Sequence, residues 1–173
     1  MKYLRNATKW SVDQIREIRG EFEDSFQLYR QYLEENRSRF PGSALDFALA
    51  DWRYDPVDHR CPHDGWIEFV KICERRTSEN RRSAKGIDIE ICLLGPYHDG
   101  HLFLKYKDVK AYSLDLIDDE FEIKSHGDWL IDEIRLSDRG YVTHEIAFHL
   151  GGTWIIECID INVEWVPFDT LDG

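Results

Sequence analysis

The sequence lacks the features that would assign it to a membrane-spanning, secreted or nucleic-acid-binding class. No apolar run approaches the roughly 20 residues needed to cross a bilayer, and the first residues lack the apolar segment of a signal peptide. Basic residues are also scarce, with 22 Lys and Arg against 34 Asp and Glu and a net charge of −12. Nucleic acids and anionic lipids both bind through cationic side chains. We therefore expect a cytoplasmic protein that binds neither.

Cysteine is equally scarce. The chain has four cysteines, and no two of them are spaced as C-x-x-C. Three of the four lie in apolar, β-branched stretches, where a thiol behaves as a small hydrophobic group. We expect reduced, buried thiols rather than a disulfide framework.

Known catalytic motifs are absent as well. The chain contains no glycine-rich phosphate loop, no G-x-S-x-G elbow and no H-E-x-x-H motif. His144-Glu145 comes nearest to the last of these, but His149 follows five residues after His144 rather than four. These absences favour a non-catalytic protein with no cofactor, and they leave the question of enzymatic activity open.

The negative charge is concentrated in the C-terminal part of the chain. Residues 1–99 carry 16 basic and 18 acidic side chains, whereas residues 100–173 carry 6 and 16. Such an excess attracts a basic partner protein and accelerates its association. It also has a simpler role, since net charge keeps a protein soluble. The distribution predicts a protein-binding domain with a basic protein as its partner.

The N-terminal part shows helical periodicity. Apolar residues recur at steps of three and four between Ser11 and Asn36, which predicts an amphipathic helix, with Gly20 as a point of interruption. Pro41 ends any continuation. A second, shorter helix is predicted over 43–52.

After Gly65 the apolar residues alternate, as they do in β-strands. The pattern predicts antiparallel strands over 66–74, 86–94, 101–107, 109–117, 129–136, 141–150 and 153–163. Two polar stretches, 75–85 and 118–127, are predicted to be loops. The predicted fold class is α+β, as a single domain over 1–173. Helices occupy 1–52, and an antiparallel β body occupies 66–165 as a sandwich or a curled sheet.

Histidines beside carboxylates are the main indication of chemistry. Four of the seven histidines are followed within two positions by an acidic residue. His, Cys and Asp are the side chains that bind zinc in proteins. The alternative to protein binding is therefore a metal-dependent hydrolase or a zinc-binding domain. Its candidate ligands are His59, Cys61, His63, Asp64, His98, Asp99 and His126.

Other bulky or polar residues have structural interpretations. The two His-Asp-Gly segments, at 63–65 and 98–100, each precede a strand and are typical of turns. His144 lies on the apolar side of its strand, which predicts a core or interface histidine with one hydrogen-bonded nitrogen. Trp66, Trp129 and Trp154 begin strands and are predicted to fill the ends of the core.

One segment of the acidic half combines charge with apolar anchors. Residues 114–122 contain five carboxylates and four large apolar side chains. Charge steers the encounter of two proteins, and a buried apolar anchor supplies affinity. The predicted partner-binding residues are Asp115, Asp118, Asp119, Glu120, Phe121 and Glu122.

Several short motifs resemble those of a known group of proteins. They are His63-Asp64-Gly65-Trp66-Ile67, the segment 94–100, His144-Glu145-Ile146 and Gly152-Thr153-Trp154. Over 45–165, they are similar to motifs of small acidic bacterial proteins, which comprise uncharacterised domains and toxin-neutralising immunity proteins. The resemblance implies a cytoplasmic, β-rich α+β domain that acts by protein binding. It implies no catalytic residue.

Overall fold

A computed structural model describes residues 1–4, 15–77, 80–116 and 125–168 of the chain. In these residues, two helices precede eight strands, which confirms the predicted α+β class. Neither helix is long and apolar enough to span a membrane. The helices are α1 (Ile15–Glu35) and α2 (Gly42–Leu49), with 3-10 turns at Arg37–Arg39 and Asp51–Tyr54. The strands are β1 (Trp66–Thr77), β2 (Asn80–Leu94), β3 (Gly100–Lys107), β4 (Ala111–Leu114), β5 (Trp129–Leu136), β6 (Val142–Phe148), β7 (Thr153–Cys158) and β8 (Asp160–Pro167).

The strands form two antiparallel sheets of four strands each. Sheet A has the order β1-β2-β3-β8, and sheet B has the order β4-β7-β6-β5. A two-stranded ribbon passes from one sheet to the other, because β3 leads directly into β4 and β7 into β8. The amide of Ile159 donates to the carbonyl of Lys107 (3.0 Å) at the bend, and Asp108 adopts a left-handed φ of 51° there. The single strand predicted over 153–163 is therefore wrong, since the chain changes sheets at Ile159.

The sheets also meet at their other ends. The amide of Asp64 donates to the carbonyl of Trp129 (2.9 Å), and the amide of Trp129 donates to the carbonyl of Gly65 (3.0 Å). These hydrogen bonds join the entry of β1 to the entry of β5. The two sheets are thus connected both through the ribbon and through this pair of segments.

Helix α2 packs between the two sheets. It contacts β8 of sheet A and β5 of sheet B. Its buried residues are small or apolar, namely Ala44, Leu45, Phe47 and Ala48. At its start, the Ser43 hydroxyl donates to Asp160 Oδ2 (2.6 Å) at the beginning of β8. These residues belong to one apolar cluster that also includes side chains of both sheets.

Helix α1 covers the outer edge of β5. The Tyr29 hydroxyl donates to the carbonyl of Ile134 and accepts from its amide, each at 2.8 Å. The Tyr32 hydroxyl accepts from the amide of Leu136 (2.8 Å). An edge strand with free amides and carbonyls invites pairing with another chain. The two tyrosines occupy those groups and so protect this edge.

Two local predictions are wrong. Helix α1 continues through Gly20 without a break, and residues 11–14 of the predicted helix lie outside the described residues. Most of the predicted loop over 75–85 is strand, because β1 and β2 extend to Thr77 and from Asn80. These two strand ends pair with each other, so their backbone N–H and C=O groups are hydrogen-bonded. Strand formation here therefore does not require an apolar face. Of the other predicted loop, only 125–127 lies in the described residues.

We expect Tyr29→Phe to lower the free energy of unfolding by about 1–3 kcal/mol, because the buried amide and carbonyl of Ile134 would lose a partner. Urea denaturation measures this change. Tyr112 is 45% exposed on the edge strand β4, and Tyr112→Phe is the matched control, with an expected change below about 0.5 kcal/mol. Equal losses in the two variants would show that the Tyr29 hydroxyl does not stabilise β5.

Candidate functional site

Both His-Asp-Gly segments form turns at one end of the molecule. Asp64 and His98 adopt left-handed φ angles of 64° and 57°. The amide of Gly65 donates to the carbonyl of Pro62 (2.9 Å), and the amide of His98 donates to that of Gly95 (2.9 Å). The turn interpretation therefore holds for both segments. The turns place the start of β1 beside the β2–β3 connection.

Exposed aromatic and aliphatic side chains cover this end. Its members are 40–49% exposed and come from β1, the β2–β3 turn and the end of β8, namely Trp66, Phe69, Tyr97, Val166 and Phe168. We call these five residues the aromatic end. The prediction that Trp66 fills the core is wrong, whereas Trp129 and Trp154 are buried as predicted. Trp66 instead packs against the ring of His98 at 4.6 Å and donates from Nε1 to Asp128 Oδ1 (2.7 Å).

Acidic residues surround the aromatic end. The segments 58–69, 95–101, 125–128 and 164–168 contain six carboxylates and one basic residue, Arg60. Arg60 Nη2 pairs with Asp58 Oδ2 at 2.7 Å. Hydrogen bonds from Arg60 lower the pKa of Asp58 to about 2. The one arginine in these segments is thus neutralised by its neighbour, and the surface is acidic.

Four of the predicted metal ligands form two local pairs near the aromatic end. His59 Nδ1 lies 2.5 Å from Asp99 Oδ2, and the His59 ring stacks on Tyr97 at 4.3 Å. His63 Nδ1 lies 3.1 Å from Asp64 Oδ1. Histidine–carboxylate pairs therefore do come together in space. Each ring nitrogen in these contacts faces its own carboxylate, and the two pairs share no ligand atom.

The remaining predicted ligands have separate surroundings. Cys61 is buried and donates from Sγ to the carbonyl of Arg53 (3.3 Å). Burial raises the pKa of the Cys61 thiol to about 11. His126 packs between the rings of Phe148 and Trp154, at 5.1 and 4.7 Å, and burial lowers its pKa. Among the described residues, the group of potential ligand atoms within 4.8 Å of one another comes from Glu68, Cys92 and His101 instead.

The predicted partner-binding segment lies mostly outside the described residues. Asp115 is exposed and accepts a hydrogen bond from the Ser113 hydroxyl (2.9 Å). Asp118, Asp119, Glu120, Phe121 and Glu122 fall in the part of the chain that is not described. Their role in binding stays a prediction.

A buried polar network lies in the core between the helices and the sheets. Arg53 donates to Asp132 Oδ2 through Nε (2.9 Å) and through Nη2. His144 Nε2 lies 2.7 Å from the same oxygen, and the Tyr106 hydroxyl lies 2.8 Å from His144 Nδ1. Trp129 Nε1 donates to Asp132 Oδ1 (3.2 Å). His144 is fully buried, as predicted, and both of its nitrogens have partners.

The charges of this network follow from its contacts. Burial alone would raise the pKa of Asp132, but the nearby Arg53 charge and the hydrogen bond from His144 hold that pKa below its usual range. Burial lowers the pKa of His144, and this effect outweighs the opposing influence of Asp132. Near neutral pH the network therefore contains a charged Arg53, a charged Asp132 and a neutral His144.

A cavity of about 310 Å³ adjoins this network. Its wall is mainly apolar and includes Phe26, Tyr54 and Trp129, with Arg53 and Asp132 at its inner end. The polar atoms of these last two residues already have protein partners, which are each other, Tyr29, the carbonyl of Ala48, Trp129 and His144. They therefore offer a ligand little unpaired hydrogen-bonding capacity, and the network acts mainly to hold the core together.

Two parts of these arrangements were not predicted from the sequence. Exposed aromatics such as Tyr97 and Phe168 adjoin the His-Asp-Gly turn and the end of the last strand, and aromatic residues beside strand-end turns were the available signal. Arg53 and Asp132 were also missed. Asp132-Glu133 is an acidic pair inside an otherwise apolar strand, and a buried carboxylate there requires a buried cation.

We expect the free energy of unfolding to fall as pH drops below about 6.5, because the unfolded chain protonates a histidine that stays neutral in the fold. His144→Gln removes this titration and should flatten the decline measured by urea denaturation at about pH 7.5 and about pH 5.5. The loss attributable to one histidine is at most about 1.4 kcal/mol per pH unit. The ionised Asp132 adds stability above about pH 4 that is lost only in stronger acid.

The matched control is His149→Gln, because His149 follows the same strand and is exposed. This variant should keep the wild-type dependence on pH, to which His126 also contributes through its lowered pKa. An unchanged pH dependence in His144→Gln would contradict a neutral His144 in the fold.

No family model, curated protein or solved structure matches this chain. What the protein does must therefore follow from its own surfaces, charges and cavities. In the described part of the chain, the aromatic end combines exposed aromatic rings with an excess of carboxylates.

Proposed function

We propose that this protein is a non-catalytic binding domain for a basic protein partner and that the aromatic end is its contact surface. The main support for this proposal is a group of five large apolar side chains, each 40–49% exposed, at an end of the molecule that is rich in carboxylates. Exposed clusters of this kind commonly mark interaction sites. The net charge of −12 favours a positively charged partner.

The composition of the aromatic end suits a protein interface. Trp and Tyr are enriched among the residues that contribute most to binding energy. Trp66 and Tyr97 are held in place before binding, since Trp66 donates to Asp128 and the Tyr97 hydroxyl donates to the carbonyl of Pro56 (3.0 Å). Side chains that are already ordered lose less entropy when a partner binds.

The charges favour arginine or lysine on the partner. Carboxylates and aromatic faces both attract guanidinium and ammonium groups, the first by ion pairing and the second by cation–π contact. Asp64 is exposed at the entry of β1, beside Trp66. A basic side chain placed over Trp66 can thus contact a ring and a carboxylate together.

The acidic segment over 115–122 contributes at longer range in this proposal. In the sheets, several carboxylates of the C-terminal half already have basic partners, as in the pairs Lys110–Asp108, Arg139–Glu157 and Lys105–Glu164. The sequence 115–122 carries five carboxylates and no basic residue. Its charge therefore acts on the approach of a partner, whereas the aromatic end supplies the contact.

An immunity-type inhibitor in the bacterial cytoplasm is the specific form of this proposal. Such a protein binds a basic enzyme and blocks it without chemistry of its own. The motifs at 63–67 and 94–100 that resemble those of immunity proteins include Trp66 and Tyr97 of the aromatic end and the turns beside them. A neighbouring gene for a basic toxin would support this form.

We expect an arginine-rich peptide to shift the indole N–H signal of Trp66 in NMR spectra of the ¹⁵N-labelled protein, because Trp66 lies on the contact surface. The buried Trp129 and Trp154 provide internal references. The combined change Tyr97→Ala and Phe168→Ala should weaken binding by about tenfold or more, since each truncated contact is worth roughly 1 kcal/mol or more.

A glutamate-rich peptide of equal length and the variant Tyr112→Ala are the controls. Tyr112 has an exposure similar to that of Tyr97, 45% against 48%, but lies on β4 of sheet B. The proposal fails if the two peptides shift Trp66 equally, or if Tyr112→Ala weakens binding as much as the double change does.

The acidic segment has a separate test. Once a basic partner has been isolated by capture that depends on the aromatic end, changing Asp118, Asp119 and Glu120 to Asn, Asn and Gln should slow association and reduce its dependence on salt. Dissociation should change little. Stopped-flow measurements at low and high salt give both rates, and an unchanged association rate would exclude this segment from recognition.

A further inference from the structure

Sheet A carries a second arrangement, which lies on its outer face. Glu68 of β1, Cys92 of β2 and His101 of β3 present a carboxylate, a thiol and an imidazole within 4.8 Å of one another. The contact between His101 Nε2 and Glu68 Oε2 is 2.7 Å, and Cys92 Sγ lies 3.9 Å from the same oxygen. The three residues come from three adjacent strands.

An irregularity in β1 aims Glu68 at its neighbours. Ile67 pairs with Leu93, but Phe69 pairs with Cys92, so Glu68 is an extra residue between two consecutive partners. A bulge of this kind bends the strand and redirects a side chain. Ile67 keeps its place beside the inward-facing Leu93, while Glu68 reaches Cys92 and His101 on the outer face.

The imidazole of His101 is not hydrogen-bonded through the nitrogen that faces Glu68. Its Nε2 is buried and has no hydrogen-bond partner, although Glu68 Oε2 lies 2.7 Å away, because the contact lacks the alignment of a hydrogen bond. A buried nitrogen without a hydrogen bond is unfavourable, and coordination of a metal ion would give it a partner. Phe103 and Phe168 hold the imidazole by edge-on contacts, with ring centroids at 5.8 and 4.7 Å.

We propose that Glu68, Cys92 and His101 bind a zinc-like divalent transition metal. Zinc takes thiolate, imidazole and carboxylate ligands at about 2.0–2.3 Å, which places tetrahedral ligand atoms about 3.3–3.8 Å apart. The measured 2.7 and 3.9 Å bracket these separations. Small side-chain rotations therefore suffice to form the site. Binding displaces the proton of Cys92 to solvent, and a water molecule completes the fourth position.

The site is distinct from the ligands predicted at the level of the sequence, and it does not depend on the proposed function. Glu68 is 43% exposed at its side chain, which gives a metal ion a path from solvent, whereas Cys92 is 1% exposed. The outer face around it includes Phe103 and Phe168, and such apolar surroundings limit the access of solvent to a metal site.

Titration of the untagged, chelator-treated protein with Co²⁺ tests the site. We expect one equivalent to bind with a sulfur-to-cobalt charge-transfer band in the near ultraviolet, and Zn²⁺ to displace it. Cys92→Ser should abolish the band. Glu68→Gln and His101→Asn should each weaken binding by about tenfold or more, since removing even an outer-sphere partner costs 10–100-fold.

Cys73→Ser is the matched control, because Cys73 is a second, half-buried cysteine of sheet A. It should bind Co²⁺ as the wild type does. Circular dichroism verifies that each variant is folded. Because the Glu68 side chain is exposed, Glu68→Gln tests the site without disturbing the core. A band that persists in Cys92→Ser or disappears in Cys73→Ser overturns the proposal, as do unchanged affinity in Glu68→Gln and failure of the wild type to bind Co²⁺.

Discussion

The fold depends on the ion pair between Arg53 and Asp132. Arg53 follows α2, and Asp132 lies on β5, so this contact fixes the helical part of the chain against sheet B. Both side chains are buried, so each charge has the other as its partner in place of water. Removal of either side chain would leave an unpaired charge in the core. His144 and Trp129 bind the same carboxylate, and Tyr106 extends the network to sheet A.

Such a network restricts how the core can pack. The Arg53 guanidinium lies over the rings of Phe47 and Tyr54, at 4.7 and 4.9 Å, so its charge is also held by aromatic faces. A buried pair of charges often stabilises a protein no more than apolar residues would. Its hydrogen bonds have directions, however, and they define one position for α2 between the sheets. Strand β5 also positions the exposed surface, because backbone hydrogen bonds join its start to the entry of β1.

The sequence predicts those parts of the fold that local periodicity determines. Strand β3 spans Gly100–Lys107 against the predicted 101–107, because its more buried and less buried residues alternate along one regular strand. The change of sheet at Ile159 was not predictable in this way, since it depends on pairing with Lys107 and leaves the local pattern unbroken. Likewise, the polar ends of β1 and β2 form strands because each has the other as a partner.

The candidate sites were less predictable for the same reason. The His-Asp-Gly turns follow from local chemistry, whereas the exposure of Trp66 depends on which elements cover the start of β1. The juxtaposition of Glu68 with Cys92 and His101 depends on the register of three strands and on one extra residue in β1. Neither register nor a bulge can be read from composition or from spacing along one segment.

The position of α2 has a consequence for synthesis of the chain on the ribosome. This apolar helix is completed at Leu49, but β8, against which it mainly packs, begins only at Asp160. At roughly 5–20 residues per second, the nascent protein carries α2 without its cover for about 5–20 seconds. Before β8 is made, this segment cannot be buried in its native place. Slow elongation between α2 and β8 therefore lengthens the time in which this apolar segment is open to aggregation.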